Sequence, residues 1–223
     1  MLVLGNRHLG PDIWSFSIPA FATCPGCSFP CLAVCTAMRG HYMHQAVRDF
    51  HRENWERSLD PPRFQRDMIR EIKSRFVRDL RVHVAGDFYD VPYVQSWTRI
   101  VRRCRTTTFL AYTRSWRRPE LLDPLVELSR LPNMRMFWSE DAQTGACDRP
   151  EGRRAFLCAT AADELVVPRE PILVFRDDTR SVRKWFGPAW VCPKEQGTPT
   201  LITCSACRRC LLPDPLPRNP RKP

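Results

Sequence analysis

From Leu80 to Trp138 the sequence alternates, at short and regular intervals, between apolar runs rich in β-branched and aromatic residues and amphipathic stretches of helical length. Leu80–Ala85, Thr107–Tyr112 and Met134–Trp138 read as strands, and Val91–Cys104 and Pro119–Leu131 as the helices between them. Strand, helix, strand at this spacing implies βαβ units and a parallel sheet, because parallel neighbours need a crossover long enough to hold a helix. The pattern extends both ways. Ile13–Ile18 reads as a first strand closed by Pro19, Phe156–Ala159 and Pro171–Phe175 as later strands, and Thr179–Trp185 as a short helix. His41–Phe76 is helical in composition, with a second helix starting at Asp60-Pro61-Pro62, where Asp60 caps and a proline takes the first helical position. The class is α/β, with the sheet either a barrel or an open doubly wound sheet.

The eleven cysteines are unevenly placed. Cys24, Cys27, Cys31 and Cys35 follow the first strand; Cys27, Cys31 and Cys35 lie four apart and would share one face of a continuous helix. Cys192, Cys204, Cys207 and Cys210 form a Cys-x11-Cys-x2-Cys-x2-Cys group near the other end. Four soft ligands at such spacing suit zinc or an iron–sulfur cluster. In the first group a single cluster can use all four thiols, or three with one iron left open. Cys104, Cys147 and Cys158 are isolated and read as small core residues. His41, His44 and His51 follow the first group and offer nitrogen, although packing on a helix explains them equally.

Met1–Ala20 has no cationic start followed by an apolar run, and Pro11, Asp12 and Pro19 interrupt it, so neither a signal peptide nor a membrane span is expected. The expected location is the cytoplasm, where thiols stay reduced and close cysteine spacing argues for metal. The formal charge of +11 is concentrated between Arg48 and Arg81. It would favour phosphate-rich partners such as nucleic acid, or else simply solvate the surface.

Each strand runs into polar residues: Gly86-Asp87, Thr113-Arg114-Ser115, Ser139-Glu140-Asp141 and Arg176-Asp177-Asp178. In parallel α/β folds these ends form the ligand-binding rim, so Asp87, Glu140 and Asp141 are candidates for catalysis and Gly86, Asp87 and Ser115 for holding a cofactor. Helix capping is the competing explanation. The sequence contains no Gly-x-x-x-x-Gly-Lys-Ser/Thr loop, Gly-x-Ser-x-Gly elbow or His-Glu-x-x-His helix, so phosphate-loop nucleotide hydrolysis, serine hydrolysis and zinc proteolysis lack support.

Trp14–Ala20, the Cys24–Cys35 loop, Val82–Phe88, Tyr112–Trp116 and the four terminal cysteines together resemble the phage and plasmid gene product 88 family, which in turn resembles a divergent branch of the radical S-adenosylmethionine (radical SAM) group. The resemblance implies a partial (β/α) barrel over residues 1–188 that binds a [4Fe-4S] cluster near the first strand, with S-adenosylmethionine on the open iron. It also implies an auxiliary cluster on a cysteine-rich appendage at 189–210, while the proline-rich tail, 211–223, is expected to be disordered. The usual radical SAM loop is Cys-x3-Cys-x2-Cys. Here the spacings are x2, x3 and x3, and Thr36 stands in place of the usual aromatic residue. Cys24, Cys31 and Cys35 are the matching set, with Cys27 extra. The alternative is a zinc-stabilised, nucleic-acid-associated protein without catalysis. The substrate is not legible in the sequence.

Overall fold

The computed structural model describes residues 1–148, 152–168, 173–176, 190–193 and 202–213. Its centre is an eight-stranded sheet whose spatial order is the chain order: β1 (Val3–Asn6), β2 (Gly10–Phe16), β3 (Asp79–Val82), β4 (Thr108–Thr113), β5 (Met134–Asp141), β6 (Arg153–Cys158), β7 (Leu173–Arg176) and β8 (Trp190–Val191). β1 pairs antiparallel with β2, and every later pair is parallel. A doubly wound sheet reverses its strand order at a switch point, and this sheet does not. With right-handed crossovers, consecutive order sends the connecting helices to one face. They are α2 (Gln45–Ser58), α3 (Pro61–Ser74), α4 (Val91–Arg103) and α5 (Pro119–Ser129), preceded by a short α1 (Phe29–Ala33).

The helix-side face holds the main core. α3 contributes Phe64, Met68 and Ile72 and α4 contributes Tyr93, Val94, Trp97, Ile100 and Val101, all buried and at i, i+3, i+4 spacing. They meet Phe16, Leu80, Val82, Phe109, Ala111, Met136 and Trp138 from the sheet. The Trp97 ring meets Phe16 edge-on at 5.4 Å and Phe64 at 5.7 Å, contacts worth roughly 0.5–1.5 kcal/mol each beyond area burial. Alternation along the strands sends Ile13, Leu110, Tyr112 and Phe137 to the opposite face.

Asp60 caps α3, its carboxylate accepting from the Arg63 amide at 3.2 Å, as the sequence implies. Cys104, Cys147 and Cys158 are buried. Much of the basic run lies on exposed helix surface, where Arg63 and Arg70 pair with Asp67 and Arg75 with Glu71 at helical spacing. Among the described residues no helix is long and apolar enough to cross a membrane.

Several expectations are corrected. The hairpin strand β1 precedes the strand read at Ile13–Ile18. β3 ends at Val82, because His83 takes a left-handed backbone (φ 62°). β5 continues through Ser139-Glu140-Asp141, whose carboxylates are compensated inside the fold. Cys27, Cys31 and Cys35 do not share one helix: Ser28 caps α1, which ends at Ala33, so Cys27 precedes it and Cys35 follows it. Of the cysteine-rich segment expected at 189–210, residues 202–210 lie against the sheet. The helix read at Thr179–Trp185, the rim residues Asp177 and Asp178, and residues 214–223 of the expected tail lie outside the described residues.

Candidate metal centres

The first cysteine group is held where β2–β5 end. After β2 the chain runs beside the extension of β3, with the Ile18 amide donating to the Ala85 carbonyl at 3.1 Å and the Asp87 amide to the Thr23 carbonyl at 3.1 Å. Gly86 permits this contact. Its φ is +84°, and a Cβ there would lie 2.4 Å from Ile18 Cγ1 and 2.7 Å from Thr23 Oγ1. The loop therefore rests directly on Gly86, whose open side is filled by the protein itself.

Asp87 links that loop to β4. Its carboxylate accepts from the Phe88 amide at 2.8 Å and from the Arg114 amide at 2.8 Å. Burial raises its pKa, while these hydrogen bonds to the charged form oppose the rise. From the other side Arg117 Nη1 donates to the Gly26 and Cys27 carbonyls at 3.0 and 3.1 Å. Arg114 Nε pairs with Asp141 Oδ2 at 3.1 Å, and the same oxygen accepts the Ser28 hydroxyl. Ser28 Oγ accepts the Cys31 amide at 3.2 Å, and Asp141 Oδ1 accepts the Gln143 and Thr144 amides at 3.0 and 2.9 Å.

The four thiols are gathered by this framework. The Cys27 thiol donates to the Ser28 carbonyl at 3.4 Å, Cys27, Cys31 and Cys35 lie within electrostatic reach of one another, and Cys24 feels Cys27 and Cys31. Burial pushes the Cys31 thiol up to about 12 and raises Cys24 further, with the Asp87 charge adding to the rise at Cys24. Arg114 opposes the shift at Cys27 and Cys31. Thiolates collected in such a place need a cation, and soft sulfur suits zinc or iron. Among the described residues no three His, Cys, Asp or Glu side chains close on a single point as ligands of one ion.

The second group lies on the opposite face of the sheet from the helices. Cys192 follows β8, its amide donating to the Val174 carbonyl at 2.9 Å. Thr203 caps α6 (Cys204–Cys207), and the Cys204 and Ser205 amides donate to the His8 and Leu9 carbonyls of the β1–β2 turn at 3.1 and 2.8 Å. Arg208 turns through a left-handed backbone (φ 54°) and pairs with Asp79 at 2.8 Å. Arg135 donates to the Leu211 carbonyl at 3.2 Å and Arg153 to the Cys210 carbonyl at 3.0 Å. Cys192, Cys204, Cys207 and Cys210 thus line one cavity with Leu110 and Ile202. The four thiols share this apolar pocket, but as at the first group, among the described residues no three of them close on a single point.

Residues 3–212 match the family described as Gene product 88. The chain belongs to that family. Its relatives include the Gene 88 protein of Mycobacterium phage D29, 28% identical over 129 residues covering 53% of this chain and 52% of the relative. The Gene 88 protein of Mycobacterium phage L5 is 29% identical over the same length and shares. The chain spans about half the length of the curated relatives it matches. No solved structure matches it.

Within this member of the family, the polar residues read at the strand ends divide by position. Asp87 and Asp141 hold the first cysteine loop through Arg114, and Ser115 is fully buried beside Thr113, whose Oγ1 accepts the Ser115 amide at 3.0 Å. Glu140 lies inside the fold, held by Arg154. Sequence reasoning missed Arg114 and Arg117 as the clamp. The available signal was two arginines, Arg114 and Arg117, in the first turn after β4, two strands along the sheet from the strand that leads into the cysteines. His41 lies tilted against Tyr42, with ring centroids 4.2 Å apart, and His51 packs beside the same ring at 6.1 Å.

Gly26 offers a local test. A Cβ there would lie 1.9 Å from the Arg114 carbonyl oxygen, which is backbone and cannot swing away. Gly26→Ala is expected to displace the Cys24–Cys27 turn, reducing metal bound at the first site by about tenfold, a shift of about 1.4 kcal/mol in binding. The second site should load normally. Metal analysis of the two proteins checks it; equal loading would mean that the turn tolerates the displacement.

Proposed function

We propose that this protein is an iron–sulfur protein built on a radical SAM-like (β/α) scaffold and acting as an enzyme. Cys24, Cys31 and Cys35 would hold a [4Fe-4S] cluster at the rim, with Cys27 as an added thiol, and Cys192, Cys204, Cys207 and Cys210 would hold a second. The observation that carries the reading is the first cysteine loop itself: four thiols fixed at the C-terminal ends of parallel strands, in the place where such sheets do their chemistry. When bound with S-adenosylmethionine, such a cluster supplies one electron to the sulfonium.

The chain's own residues fit supporting roles in that site. Arg114 and Arg117 lend positive charge to a loop that must carry thiolates, and Asp87, Asp141 and Ser28 fix the backbone on which the ligands stand. With Cys24, Cys31 and Cys35 as the three ligands one iron is left open for S-adenosylmethionine, whereas a cluster that also took Cys27 would be closed and suited to electron transfer. The +11 charge supports a second reading, a zinc-stabilised protein associated with nucleic acid.

Purification without oxygen, followed by iron, zinc and acid-labile sulfide analysis, separates the two. Iron with sulfide, and 5′-deoxyadenosine formed on adding S-adenosylmethionine and a reductant, is the expected result. Cys31→Ser should then lose the iron of the first site, keep that of the second and form no 5′-deoxyadenosine. Zinc without sulfide, with salt-dependent binding to nucleic acid, would overturn the enzyme reading.

A further inference from the structure

On the sheet face away from the helices, the strand register sorts the side chains into rows. Arg81, Leu110 and Arg135 form one row, Tyr112, Phe137 and Arg153 the row above it, and Leu157 and Phe175 stand one residue short of the C-terminal ends of β6 and β7. The C-terminal segment covers the lower part of this face and occupies its arginines. Arg135 donates to the Leu211 carbonyl and Arg153 to the Cys210 carbonyl, and Arg208 of the segment pairs with Asp79. Tyr112, Ser139, Leu157 and Phe175 are left only half-buried.

This face is concave. β4 and β7 are three strand spacings apart, about 14 Å in a flat sheet, yet Tyr112 of one meets Phe175 of the other edge-on with ring centroids 5.3 Å apart. Arg81 faces into the curl. Its Nε donates to the His83 carbonyl at 3.2 Å, and its guanidinium lies 4.2 Å from the centroid of Tyr112, a ring itself stacked on Phe137 at 4.7 Å. Among the described residues no carboxylate pairs with Arg81 and neither of its terminal nitrogens has a hydrogen-bond partner. Charges drawn partly out of water are ordinarily paired. A half-buried guanidinium fixed by one backbone oxygen and one ring, with both terminal nitrogens open, presents the fork that binds phosphate or carboxylate through two hydrogen bonds.

We propose that Arg81 anchors a small anionic ligand, with phosphate or carboxylate oxygens on its two terminal nitrogens and the ligand's apolar body against Phe175 and Leu157. The C-terminal cysteine segment covers the lower part of the same face and the first cysteine loop sits at the strand ends, so a ligand on Arg81 lies between the two cysteine groups. Where the enzyme reading above holds, that ligand is its substrate; the binding itself holds whichever metal the cysteines carry.

The test titrates the full-length, metal-loaded protein with phenyl phosphate, benzoate and phenol, followed by ligand-observed nuclear magnetic resonance. Saturable binding of at least one of the two anions is expected, with phenol weaker by about tenfold, and the tighter anion tells phosphate from carboxylate recognition. Arg81→Gln keeps a polar side chain without the charge and should weaken that anion about tenfold. Arg66→Gln, at an exposed position of α3, should leave it unchanged. Equal affinity in Arg81→Gln, equal weakening in Arg66→Gln, phenol bound as tightly as the anions, or no saturable binding of either anion overturns the proposal. If Arg81→Gln fails to fold, a structure of the parent with the tighter anion decides: the anion on the Arg81 terminal nitrogens upholds the proposal, and the anion anywhere else overturns it. Iron and sulfide analysis reads the metal separately, so the enzyme reading can fail while this site stands, or stand while it fails.

Discussion

Glu140→Ala is expected to lower the free energy of unfolding by about 3–5 kcal/mol, the usual effect of removing one partner from a buried, hydrogen-bonded charge pair. The carboxylate is fully buried. Its Oε1 accepts Arg154 Nε at 2.8 Å and the Cys147 amide at 3.0 Å, and its Oε2 accepts Arg154 Nη2 at 2.8 Å. Alanine deletes all three bonds at once and removes the carboxylate that the mostly buried guanidinium grips from two nitrogens. Glu140→Gln keeps the shape and two of the acceptor contacts, so its cost should be nearer 1–2 kcal/mol, roughly that of weakening charged hydrogen bonds. Urea titration measures both, with the midpoint falling and the slope unchanged. The pair of variants also separates structure from chemistry. If Glu140 acts on substrate, Glu140→Gln abolishes turnover while remaining folded; if it only supports β5 and the segment to Cys147, turnover of the folded fraction is retained. A loss of less than about 1 kcal/mol in Glu140→Ala would be that of an exposed ion pair, which this geometry is not.

Glu140 also shows where the sequence was misread and why. Trp138 and Glu140 are two residues apart on one strand, so both face the helix side. A glutamate following an apolar run looks like the end of a strand, because its buried partner, Arg154, is fourteen residues away and signals nothing locally. The parallel sheet was legible because each unit carries its own periodicity. Gly86 was legible as a special position at a strand end, offered for holding a cofactor, and what lies against it is the protein's own Ile18 and Thr23. The two cysteine groups were legible as groups. Their settings were not: the docking of α6 on the β1–β2 turn depends on Gly10, where a Cβ would lie 2.0 Å from Ser205 Oγ, and nothing within 189–210 points to a glycine that far away. The boundary of α1 was missed because spacing by four suggests a helix, whereas Ser28 as cap and the helix end at Ala33 limit it to little more than a turn.

Stability should fall as pH drops below about 6.5, and His83 is the group expected to contribute most to that slope. His83 is 3% exposed, with Nε2 paired with the Tyr93 hydroxyl at 2.7 Å and Nδ1 unpartnered among the described residues. The rings of Phe16, Phe88 and Trp97 surround it. Burial, with the nearby Arg81 charge, pulls its pKa down to about 3. In the unfolded chain the imidazole titrates near its ordinary value of about 6.5. Between those two values the unfolded state takes up a proton that the native state refuses, so falling pH favours unfolding by up to about 1.4 kcal/mol per unit. Above that window the group is neutral in both states and contributes no slope. Between pH 7 and pH 5 the loss from His83 alone should approach 2 kcal/mol. His83→Gln removes the titration while leaving a group able to bond Tyr93. Other groups that titrate in the same range do so in both proteins, so the difference between the two unfolding free energies isolates the histidine. That difference should shrink as pH falls; one that stayed constant would mean that the folded protein admits the proton. The consequence reaches the first cysteine site, because Gly86 and Asp87 lie three and four residues beyond His83, and the segment they terminate carries the contact on which the cysteine loop rests.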